Sequence, residues 1–284
     1  MKELSAKVSS EDGPQLKHKV SSASRTHRES GHAVPDLPAP GDALLTVQRV
    51  SKVFDGKVTA LDQVSFQVAW GEFLLLVGPN QAGKTTLLRL IASEEKPTQG
   101  AILFQGFDSQ TIKRKEIPLL RRKMGRIFPD SRLIDDLNVF DNVALSLRML
   151  GRGERRIRRR VPELLEMVGI PATGMRFPPG LSSAEKQKAA IARALAGDPL
   201  LLLADEPTMN LDEESADEIL MLLREANLLG TAVLLATRHV RLWDGMLPRM
   251  LRLEKGRPVA PELDPPVADS DPQSLLCCQR ESSK

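Results

Sequence analysis

The chain has 284 residues, of which 41% are hydrophobic and 27% are charged, and its formal net charge of +3 is too small to indicate nucleic-acid binding. No apolar run approaches the ~18–20 residues that span a bilayer, the N-terminus lacks the apolar segment of a signal peptide, and the adjacent pair Cys277 and Cys278 can form neither a disulfide framework nor a metal site. These features predict a soluble globular protein of a reducing compartment, which reaches a membrane only through a partner.

Residues 1–42 are rich in Ser, Lys, His, Pro and Gly without periodicity, which predicts a disordered N-terminal extension. Residues 257–284 likewise lack periodicity, are rich in Pro and Ser, and are predicted to form a disordered C-terminal tail. The apolar runs between them that predict strands are LLTVQRV, VSFQVAW, FLLLVG, AILF, LLLLAD, TAVLLAT and RMLRL. The helical patterns are KTTLLRLIAS, RVPELLEMVGI, SAEKQKAAIARALA and ESADEILMLLREANLLG. Strands that alternate with helices, several of them too apolar to have a wet face, predict an α/β fold with a mainly parallel sheet.

The segment GPNQAGKTT follows the strand FLLLV and opens a helix. Its G-x-x-x-x-G-K-T spacing lets backbone amides surround a phosphate chain, brings the lysine to the terminal phosphates and offers the first threonine to Mg²⁺. The predicted nucleotide-binding residues of this loop are Gly78, Pro79, Asn80, Gln81, Ala82, Gly83, Lys84, Thr85 and Thr86. A glycine turn with a purely structural role is the weaker alternative, because the loop lies between a strand and a helix, as phosphate binding requires.

A second segment, LLLLADEPT, places two carboxylates where a buried strand ends, at the edge where α/β sheets bind ligands. Asp205 is predicted to hold the metal ion, directly or through water, and Glu206 to polarise the attacking water. Because the phosphate loop precedes them, these residues predict nucleotide hydrolysis. The weaker alternative is that two acidic residues simply begin a loop.

Between these segments lies LSSAEKQKAAIARAL, residues 181–195, which resembles a degenerate form of the signature LSGGEQQRVAIARAL of the ATP-binding-cassette ATPases. The following EPTMNLD resembles their D-loop, with Asp212 at its end. The resemblance covers roughly residues 44–256 and has every motif in the family's order. EIPLLRRKMGRIFPD, VFDNVALSL and RMLRLEKG are similar to its cell-division branch, FtsE.

The resemblance implies an ATPase domain over residues 43–256, with a RecA-like core, a small antiparallel sheet before the phosphate loop and a helical subdomain near residues 131–180. It also implies ATP and Mg²⁺ as ligands and a head-to-tail dimer, in which each signature, with Ser182, Ser183 and Glu185, faces the partner's phosphate loop. An integral membrane subunit like FtsX is the implied partner, and the implied location is the cytoplasmic face of the plasma membrane.

Phe54 occupies the place of the aromatic residue that stacks on adenine, although a plain core phenylalanine is the competing interpretation. Other positions depart from the family pattern. Gln81 replaces a small residue and is expected to crowd the phosphate loop. Pro129 stands where the family has the Q-loop glutamine, and proline has neither a polar side chain nor an amide hydrogen. Asp130 could reach a metal instead, but a simple turn residue is the favoured interpretation.

The signature itself lacks two glycines that permit close approach to the γ-phosphate, because Ser183 and Ala184 stand in their places. Ser182 and Glu185 nevertheless keep the S-x-x-E spacing of a capping box, which predicts that the helix start and its positive dipole end are retained.

The segment LLATRHV also differs from the family text, which is ATHD with the histidine next to the γ-phosphate. Here Arg238 holds the place of that histidine, and His239 that of the aspartate. Because successive side chains of an extended strand point to opposite faces, Arg238 is predicted to face the nucleotide. A local bulge that returns His239 to the site, or a polar helix start that uses neither residue, stays open.

The chain is therefore predicted to be the ATPase subunit of an FtsE/FtsX-like membrane complex, with slow hydrolysis. A nucleotide-gated scaffold that binds ATP and dimerises with little or no turnover is the alternative, suggested by Pro129, Ser183 and Ala184. A soluble ABC protein of translation or DNA repair is disfavoured, because the chain has neither tandem cassettes nor a long coiled-coil insertion.

Overall fold

Two β-sheets and the helices packed on them make up the folded chain in a computed structural model, which describes residues 43–238 and 248–259. The predicted extension 1–42, most of the predicted tail and His239 lie outside the described residues. The strands are β1 (Ala43–Phe54), β2 (Val58–Ala69), β3 (Phe73–Val77), β4 (Gln99–Phe104), β5 (Phe107–Asp108), β6 (Met124–Ile127), β7 (Leu201–Asp205), β8 (Ala232–Thr237), β9 (Arg249–Glu254) and β10 (Arg257–Val259). The α-helices are α1 (Lys84–Ile91), α2 (Ile117–Arg121), α3 (Val139–Met149), α4 (Glu154–Met167), α5 (Ser183–Leu195) and α6 (Glu213–Leu228).

The smaller sheet is antiparallel, in the order β2-β1-β4-β5, which confirms the small antiparallel sheet that the family resemblance implies. Of its four strands, β1 and β2 precede the phosphate loop, whereas β4 and β5 follow α1 in the chain. Asp55 and Gly56 both have positive φ in the β1–β2 turn, as expected of a tight hairpin turn that matches the twist of its strands.

The larger sheet has the order β10-β9-β3-β8-β7-β6, and all of its strands are parallel except β10. The predicted, mainly parallel sheet is therefore confirmed. Every residue of β7 and β8 is buried, which explains why these strands lack alternation between apolar and polar residues. Because parallel strands end at a common edge, the residues that follow β3, β7 and β8 meet there. Strand β10 occupies the first three residues of the stretch predicted as the tail.

The helices α3 and α4, which lie within residues 131–180, share one hydrophobic core with α5, α6 and the adjoining face of the larger sheet. The apolar side chains Ile157, Val161 and Leu164 of α4 are fully buried in that core. The arginines of residues 152–160 lie mostly on the opposite, exposed side of α4, and Arg160 forms an ion pair with Asp198 at 2.9 Å. Helix α1 belongs to a second core between the two sheets.

Candidate functional site

The phosphate loop joins β3 to α1 in a conformation that requires its two glycines. Gly83 has φ of 99°, and a Cβ at this position would lie 2.5 Å from the carbonyl oxygen of Ala60. A Cβ on Gly78 would lie 2.3 Å from the carbonyl oxygen of Leu253. Since both obstacles are backbone atoms, side chains are excluded there, and the loop is held tightly between β2 and β9. Gln81, at φ of 64°, is exposed, so the expected crowding of the loop by its side chain does not occur.

Lys84 begins α1 and its side chain folds back over the phosphate loop. Its ammonium group donates to the carbonyl oxygens of Gly78 at 2.7 Å and Pro79 at 3.1 Å. It also lies 3.2 Å from Oε1 of Glu206, and the lysine is only 6% exposed. A buried ammonium needs such partners, and their convergence holds one positive charge at the centre of the loop.

Thr85 and Asp205 come together from α1 and from the end of β7. The Thr85 hydroxyl donates to Oδ1 of Asp205 at 3.2 Å. Burial raises the pKa of the Asp205 carboxyl, while the Thr85 hydrogen bond and the positive charge of Arg126 oppose that shift. Within residues 43–238 and 248–259, no three His, Cys, Asp or Glu side chains cluster as a metal cage. One carboxylate and one hydroxyl fit Mg²⁺, which binds few protein oxygens and takes its other ligands from water and phosphate.

Glu206 directly follows β7, and its carboxylate lies beside two positively charged side chains. Besides Lys84, the guanidinium Nε of Arg238 lies 3.7 Å from Oε1, and the Arg238 backbone N–H donates to Oε2 at 3.2 Å. Glu206 has φ of 44°, an uncommon conformation for a residue with a side chain, and its own N–H donates to the Ala236 carbonyl oxygen at 2.9 Å. The carboxylate is therefore fixed between the phosphate loop and the end of β8.

Phe54 lies at the end of β1, partly exposed and outside both hydrophobic cores. The ammonium group of Lys52 lies 4.8 Å from its ring centroid, a cation–π contact. Phe54 belongs to the same hairpin as Ala60, which lies against Gly83 of the phosphate loop. Its partial exposure does not support the interpretation as a plain core phenylalanine, and stacking on adenine stays a prediction.

The signature helix α5 has the predicted capping box. Ser182 accepts from the Glu185 N–H at 3.1 Å, and Glu185 accepts from the Ser182 N–H at 2.8 Å, which lowers the pKa of the Glu185 carboxyl. Ser183 and Ala184 take the first two helical positions, so the start of the helix survives the loss of the two glycines. Asp212 caps α6 in a similar way by accepting from the Ser215 N–H at 2.8 Å. Within the described chain, these caps make no hydrogen bond to the phosphate loop.

The loop after β6, where Pro129 replaces the Q-loop glutamine, is held by two residues of α5 that the sequence interpretation missed. Gln187, which is buried, donates to the Phe128 carbonyl oxygen at 3.1 Å, and Arg193 donates to that of Ser131 at 2.6 Å. Asp130 is 63% exposed and pairs with Arg132, in agreement with a simple turn residue. Both residues belong to the signature segment 181–195, so the sequence showed their spacing. It could not show which loop their side chains contact.

A phosphate loop at the end of a parallel strand, beside a paired threonine and aspartate and a half-buried glutamate, defines a P-loop nucleoside triphosphatase. The ABC transporter family model matches residues 61–209 of the chain. The chain therefore belongs to the ABC transporter family, as one of its ATP-binding cassettes.

Similar proteins agree with this assignment. The chain is 43% identical over 213 residues to the cell division ATP-binding protein FtsE of Escherichia coli (strain K12), which covers 75% of this chain and 96% of that protein. It is 40% identical over 220 residues to FtsE of Streptococcus pneumoniae serotype 2 (strain D39 / NCTC 7466), and the match covers 78% of this chain and 96% of that protein. Among solved structures, the dimeric ATP-binding cassette MJ0796 bound to ADP and Pi in a post-hydrolysis state has a TM-score of 0.69 at 31% identity, with 75% and 96% covered.

Proposed function

We propose that this chain binds and hydrolyses ATP as the nucleotide-binding subunit of an FtsE/FtsX-like complex in cell division, with slow turnover. The observation that carries the proposal is the convergence of Lys84, Thr85, Asp205 and Glu206 at the ends of β3 and β7. The names of its relatives, cell division ATP-binding proteins, support the process, and their similarity extends over three quarters of this chain.

The proposed assembly is a dimer of cassettes on an integral membrane subunit like FtsX, at the cytoplasmic face of the plasma membrane. The similar cassette MJ0796 is dimeric, which supports pairing of two copies. No helix among the described residues is both long and apolar enough to cross a bilayer. Ser182, Ser183 and Asp212 are exposed, as a surface that faces a second copy requires.

In the proposed reaction, the Lys84 ammonium leaves its carbonyl partners and binds the terminal phosphates, while the N–H groups of the phosphate loop bind their oxygens. Thr85 and Asp205 would hold Mg²⁺, which supplies charge neutralisation of the phosphates when bound. Once Lys84 has turned to phosphate, Glu206 is free of one of its two cations and accepts the proton of the attacking water.

Two features support slow turnover. The guanidinium and the backbone N–H of Arg238 remain beside Glu206 after Lys84 has left, so they compete with the attacking water for the carboxylate oxygens. Pro129 offers no side-chain donor or acceptor to the metal or the water. In the alternative, a scaffold that binds ATP and dimerises with little or no hydrolysis, these two features would suppress turnover almost completely.

Turnover by the purified chain, alone and together with a membrane protein co-purified from the native host, tests the proposal. We expect slow, measurable release of phosphate, and we expect the partner to accelerate it. ATP binding without phosphate release in either preparation would favour the scaffold. Absence of any associated integral membrane protein would contradict the proposed complex.

A second prediction assigns the switch position after β8 to Arg238 rather than to His239. Arg238→Ala is expected to abolish ATP-dependent dimerisation, because the guanidinium beside Glu206 can also bind phosphate oxygens, whereas His239→Ala is expected to retain it. Sedimentation with ATP measures the dimer, and turnover should show no step near ~6.5, the reference pKa of histidine. If His239→Ala alone abolishes turnover, the assignment to Arg238 is wrong.

A further inference from the structure

A groove of about 670 Å³ lies beside β6, the strand at the opposite edge of the larger sheet from β10. Residues of α2, β6, α3 and α5 line it, and their lining includes five arginines and no carboxylate. The arginines are Arg121, Arg122, Arg126, Arg132 and Arg193. Four of them stand within residues 121–132, and Arg193 joins them from α5, so the packing of α5 beside β6 completes the positively charged lining.

Much of this positive charge is not compensated by carboxylates. Arg121 and Arg193 donate to backbone carbonyl oxygens, which satisfy the N–H groups but carry no net charge. Arg122 is exposed and has no ion pair within 4 Å among the described residues. Two of the five arginines are paired, Arg126 with Glu94 at 3.0 Å and Arg132 with Asp130 at 3.3 Å. The groove therefore attracts anions.

Apart from Ser146, the rest of the lining has no polar side chain. Met124 and Phe128 of the groove adjoin the arginines, and Met149 at its rim is 68% exposed. Leu119, next to Pro118 of the lining, is 51% exposed. An occupant that fits both surfaces is a peptide segment with carboxylates followed by apolar side chains.

We propose that the occupant is residues 269–276 of this same chain, DSDPQSLL. Asp269 and Asp271 would pair with the arginines near α2, and Leu275 and Leu276 would contact the methionines. The stretch 260–272, which includes the first four residues of this segment, contains four carboxylates and no Lys or Arg, so it has the opposite charge to the groove. The inference does not depend on the proposed function.

The length and direction of the chain allow this contact. Strand β10 is antiparallel to β9, so the chain leaves Val259 toward the edge at which β6 and β7 begin. Arg122 and Pro199 of the groove flank that edge, just before these strands. Crossing from β10 to β6 covers five strand spacings, roughly 24 Å. The residues from 260 to 269 extend up to ~34 Å, which is enough for Asp269 to reach the groove.

Bound in this way, the tail would cover the arginines and compete with any other acidic segment for the groove. Cross-linking tests the contact, because the two cysteines of the chain, Cys277 and Cys278, directly follow the proposed segment. In the full chain with Cys277→Ser, Met149→Cys places a second thiol at the groove. Met221→Cys, on the exposed side of α6 with 62% exposure, is the matched control.

With a short bis-maleimide at low protein concentration, the Met149→Cys chain is expected to form an internal cross-link in several-fold higher yield than the Met221→Cys chain. Asp269→Asn with Asp271→Asn, or Arg122→Glu, should each reduce the yield to the control value, and so should high salt. A synthetic peptide of residues 268–276 should compete, and the same peptide with both aspartates replaced should not.

Equal yields at the two positions would overturn the proposal. So would a yield at Met149→Cys that is unchanged both by the two aspartate substitutions and by Arg122→Glu. Cross-links that form between chains rather than within one would also overturn it, because they would assign the groove to a second copy of the protein. Circular dichroism of Arg122→Glu distinguishes a lost contact from a lost fold, and Arg155→Glu on the exposed face of α4 serves as its charge-matched control.

Discussion

Glu206→Gln is expected to leave ATP bound while turnover falls by about 10²–10⁴-fold, the usual contribution of a general base. The carboxylate follows the end of β7, 15% exposed, between Lys84 and Arg238, and the proposed reaction assigns to it the proton of the attacking water. Glutamine preserves its size but cannot accept the proton. ATP-bound dimers should therefore accumulate, which sedimentation with ATP and Mg²⁺ will measure alongside phosphate release.

Glu166→Gln provides the matched control, because it makes the same substitution at an exposed position of α4. Its turnover and dimerisation should equal those of the unmodified chain. Turnover that persists at the normal rate in Glu206→Gln, in a preparation shown to be free of contaminating ATPases, would remove Glu206 from the proposed role.

Lys84→Ala is expected to abolish most of the stabilisation of the fold by nucleotide. At an ATP concentration of ~100 times the dissociation constant, binding should raise the free energy of unfolding of the unmodified chain by roughly 2.7 kcal/mol. The lysine supplies the buried positive charge at the centre of the phosphate loop, and alanine leaves the phosphates with backbone donors alone. Thermal unfolding with and without Mg-ATP measures the difference.

Lys115→Ala, at an exposed position before α2, is the corresponding control and should keep the full ATP-dependent shift. The fold of Lys84→Ala without nucleotide has to be compared separately, because the substitution also leaves Glu206 with Arg238 as its remaining cation. An unmodified chain that shows no thermal shift with ATP would contradict nucleotide binding altogether.

The features that could be predicted from sequence are those that depend on neighbouring residues. The phosphate loop is one, because the spacing from Gly78 to Lys84 sets the turn and the start of α1 within a few residues. The capping box of Ser182 and Glu185 is another, since both hydrogen bonds close across three residues. The apolar runs of β7 and β8 indicated strands that are buried on both faces, and both are fully buried.

Contacts between distant segments required the tertiary structure. Glu206 and Arg238 are separated by 32 positions, and only the pairing of β7 with β8 brings them together. The support of the loop at Pro129 by Gln187 and Arg193 likewise depends on the packing of α5 beside β6.

The sequence by itself determined the class of fold, the nucleotide chemistry and the strands and helices that carry them, because periodicity, turn residues and helix caps act over a few residues. The tertiary structure alone decided the order of the strands, the two cations on Glu206 and the arginine-lined groove beside β6. The physical reason is that charges interact through space, so Arg193 and the arginines of residues 121–132 acquire a common field only when the packing of α5 beside β6 brings them to one surface.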